Sequence, residues 1–125
     1  MNPEKTKFDS VTPSIFFGQL FKSRNIMHIV HLKTNSLAVH KTCEAYYTLL
    51  LDLTDNLIET NYGVTGKKQL DEIPSAKYIN PVEHLNDLHF YVSKYKYLFK
   101  SQEETNIIDD ILALISKTKY LLTLE

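Results

Sequence analysis

Five side chains in the first half of the chain carry imidazole or carboxylate groups at a spacing that could bind a metal ion. Two imidazoles, His28 and His40, come first, and three carboxylates follow at Glu44, Asp55 and Glu59. His40 and Glu44 lie four residues apart, as do Asp55 and Glu59, so each pair shares one face of a helix. Imidazole nitrogen together with carboxylate oxygen is a ligand set that suits iron.

These residues cannot all meet within one chain. His40 and Asp55 are 15 residues apart, which is about 22 Å along an α-helix. Two copies of the helix that pack antiparallel about a two-fold axis would bring His40 of one chain toward Asp55 of the other, and would do so twice. The spacing therefore predicts two equivalent sites shared between the chains of a homodimer.

Capping residues and apolar periodicity predict the helices that would position these side chains. Three glycines and four prolines in 125 residues favour long helices over many short strands. Thr12-Pro13, Ser36 and Asn80-Pro81 are typical helix starts, Gly63 is a typical stop, and Ser101 opens a capping box. The expected helices cover residues 13–33, 37–62 and 81–100, and a fourth follows Ser101 and reaches residue 122.

The connections between these helices are short, long and short. Short links make helices one and two antiparallel neighbours, and likewise helices three and four. The linker over residues 63–80 is long enough to cross the bundle, and a helical turn could form over residues 69–73 within it. We therefore predict one all-α domain over residues 1–125, a ferritin-like antiparallel four-helix bundle with a long crossover linker between helices two and three.

Helix two has an unusually wide apolar surface that covers more than half of its circumference. A helix at the side of a monomeric bundle needs a stripe of only ~100° or somewhat more. A second chain could cover the excess, or the helix could simply be well buried, and the sequence leaves both alternatives open. The apolar arc contains Val39, Cys43, Tyr46, Tyr47, Leu50, Leu51, Leu53, Leu57 and Ile58.

Composition excludes several classes of function. The formal net charge of −1 argues against nucleic acid or an anionic membrane as the main partner. The single cysteine, Cys43, cannot form an internal disulfide and is expected to be an inert buried thiol. Residues 1–8 lack the apolar run of a secretion signal, and no segment approaches the ~20 apolar residues of a membrane-spanning helix. We expect a cytoplasmic or otherwise intracellular protein without a membrane partner.

Other residues with chemical potential are assigned structural roles. His31 is interpreted as a polar residue near a helix end, with a place beside the metal site as the alternative. His84 and His89 are expected to be surface or rim residues. Lysines and tyrosines alternate over residues 94–100, which is typical of an amphipathic helix whose lysines extend to solvent. A phosphate-binding glycine loop, a paired-cysteine zinc motif and a Ser-His-Asp set are all missing from the sequence.

The order His28, His40, Glu44, Asp55, Glu59 resembles, position for position, the ferroxidase signature of the Dps family of mini-ferritins, the DNA-binding proteins from starved cells. The segment HIVHLKTNSLAVHKTCEAYYTLLLDLTDNLIE is similar to the end of that family's first helix and to its second, and EETNIIDDILALISKTKYLLTLE is similar to its last. The resemblance implies that His28 and His40 of one subunit bind Fe(II) together with Asp55 and Glu59 of its dimer mate, and that Glu44 serves a second iron.

The resemblance also implies a function. It predicts a ferroxidase-type oxidoreductase that oxidises Fe(II) with peroxide or dioxygen at sites between subunits and stores Fe(III) inside a dodecameric shell. The alternative is a non-catalytic ferritin-like structural or interaction protein of a bacterial or viral assembly, because the chain is short and has Ile29 where the family usually has Trp. DNA binding is a third hypothesis with little support, since only Lys5 and Lys7 are basic in the N-terminal segment.

Overall fold

A computed structural model describes residues 10–124, and that part of the chain contains helices and no strand. The prediction of an all-α protein is confirmed for these residues, whereas the expectation for Lys5 and Lys7 lies outside them. A short 3₁₀ helix, Lys96–Leu98, follows the third α-helix. The four α-helices are α1 (Pro13–Lys33), α2 (Leu37–Thr65), α3 (Pro81–Tyr95) and α4 (Gln102–Leu122).

Each α-helix begins at the predicted cap. The Thr12 hydroxyl accepts a hydrogen bond from the backbone N–H of residue 15 at 3.3 Å, and Ser36 accepts one from residue 39 at 3.2 Å. The Asn80 Oδ1 atom accepts two, from residues 82 and 83. Ser101 and Glu104 form a complete capping box. These bonds satisfy N–H groups that the first turn of a helix leaves without a partner.

The predicted end of α2 at residue 62 was wrong. The helix continues through Gly63, which is exposed, and ends at Thr65. Gly66 then adopts a left-handed conformation with φ of 71°, and its N–H donates to the Tyr62 carbonyl at 2.8 Å. A glycine stops a helix only where the chain takes this conformation, and here the second of two closely spaced glycines does so.

The predicted end of α3 at residue 100 was also wrong, because the helix ends at Tyr95. After the 3₁₀ turn, Phe99 is extended and 3% exposed, with its ring 5.0 Å from that of Phe16. Burial of this aromatic ring against α1 draws the chain inward and is incompatible with a further helical turn. The turn expected over residues 69–73 is absent as well, since residues 67–80 have no regular secondary structure.

The packing order places α1 beside α2 and α3, and α4 beside the same two helices. Side-chain contacts show that these neighbours are antiparallel. Ser23 in α1 meets Tyr46 in the first half of α2 and His84 in the first turn of α3. Asn61 near the end of α2 meets Glu104 in the first turn of α4. The core between the helices draws large apolar side chains from all four.

The linker between α2 and α3 lies along α1. At one end, the backbone N–H of Asp71 donates to the Ser14 hydroxyl at 3.0 Å. A Cβ atom on Gly18 would lie 2.9 Å from the Glu72 carbonyl oxygen, so only glycine allows this approach. At the other end, the Lys33 ammonium lies 5.9 Å from the centre of the Tyr78 ring. The linker thus extends from the first turn of α1 to its last.

Two ends of the bundle are distinguished below by their residues. The upper end comprises residues 30–41, 76–84 and 117–124, where α1 and α4 finish and α2 and α3 begin. The lower end comprises residues 10–20, 55–75 and 95–110, where the directions are reversed.

Candidate functional site

The predicted site residues His28 and His40 belong to a histidine cluster between α1 and α2, together with His31. The His31 Nδ1–H donates to the carbonyl oxygen of His40 at 2.7 Å, and the His40 Nδ1–H donates to that of His31 at the same distance. The two rings stack with centres 3.7 Å apart and planes 18° from parallel. His31 is therefore a buried structural partner of His40, which the interpretation as a simple helix-end residue did not predict.

These hydrogen bonds decide which nitrogens remain available. With Nδ1 protonated on both rings, the Nε2 atoms of His31 and His40 carry the free lone pairs. A lone pair on imidazole lies in the plane of its ring, and near-parallel stacked planes do not converge on one ion. His31 and His40 can thus stabilise the turn between α1 and α2, but they do not form a chelating site by themselves.

His28 has a different environment. Its ring stacks on Tyr47 with centres 4.4 Å apart, and its Nδ1 lies 3.2 Å from Nη1 of Arg24. Because a guanidinium can only donate, Nδ1 of His28 must accept. Burial lowers the pKa of His28, the positive charge of Arg24 lowers it further, and Glu44 opposes the shift. A fixed cation beside His28 also disfavours a metal cation at the same ring.

The three predicted carboxylates are exposed on α2. Glu44 lies close enough to His28 to affect its titration, whereas Asp55 and Glu59 lie farther down the helix. No group of three or more His, Cys, Asp or Glu side chains within residues 10–124 could hold a metal ion. The structure describes one chain, so the shared sites, the two-fold dimer and the binding and oxidation of iron all stay predictions.

A hydrogen-bond network that the sequence did not reveal joins α1, α2 and α3, and its centre is buried. The Ser23 hydroxyl lies 2.7 Å from the Tyr46 hydroxyl and 2.7 Å from Nε2 of His84. Burial raises the pKa of the Tyr46 phenol and lowers that of His84 to about 4. A neutral His84 can accept from Ser23 while Ser23 accepts from Tyr46. His84 is half-buried, so it lies at the rim and not on the open surface, and its bond to Ser23 was not predicted.

A second buried network joins α2 to α4. The Glu104 carboxylate is 1% exposed and accepts hydrogen bonds from the Asn61 amide at 2.8 Å and from the Ser101 hydroxyl at 2.8 Å. It also lies in the first turn of α4, where the helix dipole favours a negative charge. The capping box was predicted, but the burial of its carboxylate and the bond to Asn61 were not.

The assignment of Cys43 is confirmed. It is fully buried, and burial raises the pKa of its thiol to about 11, as expected of an unreactive cysteine. The amphipathic helix expected over residues 94–100 is present only in part: Tyr95 is buried and Lys94 and Lys100 are exposed, but the α-helix ends at Tyr95. Lys96 forms an ion pair with Asp109 at 2.6 Å.

None of the helices within residues 10–124 combines the length and the apolar composition that a membrane-spanning helix needs.

Charge is divided unequally between the two ends of the bundle, although the formal net charge of the chain is only −1. The upper end has one carboxylate, Glu83, whereas the lower end has eight carboxylates and four lysines. Seven of those eight carboxylates are exposed, since only Glu104 is buried. The lysines of the upper end are Lys33, Lys41, Lys77, Lys117 and Lys119.

The upper end also exposes apolar side chains. Half of the large hydrophobic residues that are most exposed within residues 10–124 lie there. Their exposed fractions range from 39% to 70%, and a grouped apolar surface of this kind marks an interaction site more often than scattered single residues do. The six residues are Leu32, Leu37, Tyr78, Val82, Tyr120 and Leu124.

Comparison with known proteins gives a family. The sequence pattern of a family of unknown function, DUF5856, matches residues 31–122, well over half of the chain. An uncharacterized 14.6 kDa protein of Enterobacteria phage T4, named for the mobD-ri intergenic region, is 29% identical over 112 residues. The match covers 88% of this chain and 87% of the phage protein. No solved structure gives a significant match.

These findings correct the resemblance to mini-ferritins. The match to DUF5856 includes His40, Glu44, Asp55 and Glu59, the residues on which most of that resemblance rested, and neither it nor the phage relative points to Dps or ferritin proteins. The spacing of these histidines and carboxylates therefore resembles the Dps signature although the chain belongs to a different family. The chain belongs to the family of unknown function DUF5856.

Proposed function

We propose that this chain is a non-catalytic structural protein of a bacteriophage that assembles end to end, with the upper end of one copy on the lower end of the next. The unequal division of charge and apolar surface between the two ends supports this proposal. The long linker beside α1 supports a ferritin-like topology, but that topology brings no iron chemistry with it.

Charge complementarity favours a second copy as the partner of the upper end. Five lysines with one carboxylate face outward at one end, and seven exposed carboxylates with four lysines lie at the other. Opposite potentials steer two surfaces together and fix their relative orientation. A contact between two different surfaces of the same chain is heterologous, and it repeats into a ring or a filament.

The apolar side chains supply the remaining part of the interface. Leu32, Leu37 and Tyr120 are each more than 60% exposed at the upper end. Ile15, Val64 and Tyr97 are between 45% and 60% exposed at the lower end. Removal of apolar surface from water would contribute most of the association energy, and the charges would supply specificity.

A phage origin is supported by the T4 relative, whose name records only a position between genes. The non-catalytic role is supported by the histidine cluster, where hydrogen bonds occupy Nδ1 of both His31 and His40 and where Arg24 lies beside His28. Those groups stabilise the α1–α2 turn.

A charge-swap experiment tests the assembly. Lys77→Glu/Lys117→Glu leaves three lysines and three carboxylates at the upper end, and Glu59→Lys/Asp110→Lys leaves six of each at the lower end. Each variant therefore keeps one charged end and has one neutral end. All four side chains are exposed and form no hydrogen bond or ion pair within residues 10–124, so folding should be preserved. In sedimentation at low salt, each variant alone should associate roughly tenfold or more weakly than the unmodified protein. An equimolar mixture should recover association.

Glu44→Lys/Asp52→Lys is the matched control, because it changes the net charge as much as the lower-end variant does, but on the part of α2 that belongs to neither end. It should associate like the unmodified protein. A mass that stays monomeric for the unmodified chain at millimolar concentration would overturn the proposal. So would a mixture that associates no better than its two components.

A further inference from the structure

A cavity of about 430 Å³ opens at the upper end of the bundle. Five segments surround it: the end of α1, the start of α2, the end of the linker, the start of α3 and the end of α4. Its volume falls within the range of small-molecule binding sites. The lining residues are Val30, Lys33, Thr34, Val39, Tyr78, Asn80, Pro81, Val82 and Leu122.

The inner wall of the cavity is aliphatic. Val30 and Val39 are at least nine-tenths buried, and Leu122 is 6% exposed. Val82 forms the outer edge at 39% exposure. Such a wall favours a hydrocarbon body, because contact with it removes apolar surface of both the ligand and the protein from water.

Three polar side chains of the cavity can donate hydrogen bonds. The Lys33 ammonium has no carboxylate within 4 Å in the described part of the chain and lies over the Tyr78 ring. The Asn80 Oδ1 atom is used by the N–H groups of α3, which leaves its amide N–H₂ to donate. The Thr34 oxygen accepts from the backbone of residue 36, which leaves its hydroxyl hydrogen to donate.

An apolar wall with donors and one uncompensated cation at its rim matches an amphipathic anion. We propose that this cavity binds a free medium-chain fatty acid, with the carboxylate at Lys33 and the hydrocarbon against Val30, Val39 and Leu122. At about 30 Å³ for each water-sized group, the cavity holds roughly a dozen non-hydrogen atoms, which is the size of decanoate. One ammonium neutralises a singly charged carboxylate, whereas a phosphate monoester carries a charge of about −1.5 to −2 at pH 7 and would keep an excess negative charge.

The proposed fatty-acid site is formed by one chain and does not require that the chains assemble. A neighbouring copy on the upper end would cover the cavity, so binding is best measured on the Glu59→Lys/Asp110→Lys variant, which leaves the upper end unchanged. Failure of assembly and failure of ligand binding are then separate results.

Titration with decanoate below its micelle concentration, followed by methyl NMR and calorimetry, tests the proposal. We expect saturable binding of one decanoate, with the largest shifts at Val30, Val39 and Val82. Decanol has the same hydrocarbon chain without the negative charge and should bind roughly tenfold more weakly than decanoate. Acetate has the charge without the hydrocarbon chain and should not bind measurably.

Three variants locate the site. Lys33→Met should weaken decanoate binding roughly tenfold and leave decanol binding unchanged, whereas Lys41→Met, a lysine outside the cavity, should change neither. Val82→Phe fills the cavity from its partly exposed edge, without disturbing the core, and should abolish binding of both. Equal binding of decanoate to the protein and to Lys33→Met would overturn the proposal. Binding to anionic vesicles but not to decanoate would overturn it too.

Discussion

The three exposed carboxylates of α2 and the two hydrogen-bond networks between the helices place similar polar side chains in different surroundings. Glu44, Asp55 and Glu59 are open to solvent and have no hydrogen-bond partner within residues 10–124, whereas Glu104 and Ser23 are buried and bonded on more than one side. Residue types alone indicated the carboxylates of α2 as a functional site. Glu104 and Ser23 contribute more to the free energy of unfolding, because a buried polar group that loses its partner is costly.

Glu104→Ala should be the most damaging change among these polar residues. It leaves the Asn61 amide and the Ser101 hydroxyl without their acceptor and removes a charge from the start of α4. We expect a loss of about 3 kcal/mol in the free energy of unfolding, measured from urea midpoints. Glu103→Ala, one residue earlier and exposed, should cost less than about 1 kcal/mol. Equal losses for the two variants would show that burial is not the cause.

Ser23→Ala should rank second. The substitution leaves both the Tyr46 hydroxyl and His84 Nε2 buried without their shared partner, so we expect a loss of about 2–3 kcal/mol. Tyr46→Phe removes only one bond of the network, and Ser23 can still donate to His84. Its loss should be about 1 kcal/mol, and urea unfolding of the two variants side by side checks the order.

The pH dependence of stability should sharpen the contrast further. The pKa of His84 is about 4 in the folded chain and about 6.5 in an unfolded one, so the unfolded state takes up the proton first as the pH falls. The free energy of unfolding should therefore decrease between about pH 6.5 and pH 4, by up to about 2–3 kcal/mol. The nearby charge of Asp87 raises the pKa of His84, and that of Lys22 lowers it.

The comparison of unmodified protein with His84→Asn isolates this contribution. The difference between their unfolding free energies should shrink as the pH decreases across that interval. A constant difference would mean that His84 does not exchange a proton on folding.

Asp55→Ala/Glu59→Ala should have the smallest effect. Both carboxylates are exposed and without hydrogen bonds in the described range, so the change in stability should stay within about 0.5 kcal/mol. If the protein is non-catalytic, this variant, the unmodified protein and buffer alone should oxidise Fe(II) in air at the same rate. Faster oxidation by the unmodified protein that the double variant loses would restore the two-chain iron site.

Local signals in the sequence determined most of the helical architecture. The caps at Thr12, Ser36, Asn80 and Ser101 act through residues no more than three positions away, and the apolar stripes repeat every helical turn, so both are readable along the chain. The ends of α2 and α3 were less certain. Gly63 and Gly66 are both plausible stops, and the burial of Phe99 depends on Phe16, which lies far away in sequence.

The candidate sites could be predicted only in part. A serine on the apolar stripe of α1 between Leu20 and Met27 was a usable sign that Ser23 has a buried partner. Its partners on α2 and α3 could not be named, because they lie 23 and 61 residues away. Likewise, no local pattern shows that Asn61 donates a hydrogen bond to Glu104. Nor does any pattern show that Arg24 donates to Nδ1 of His28, whose lone pair a metal would need.

The separation of charge was decided by the tertiary structure alone. Along the chain, acidic and basic residues are mixed and nearly cancel. Antiparallel packing of α1 with α2 and of α3 with α4 collects the end of one helix and the start of the next at the same side of the bundle. Lysines from four segments thereby meet at the upper end of the bundle, and carboxylates gather at the lower end. Sequence determines which helices form, whereas long-range packing determines which of their residues become neighbours.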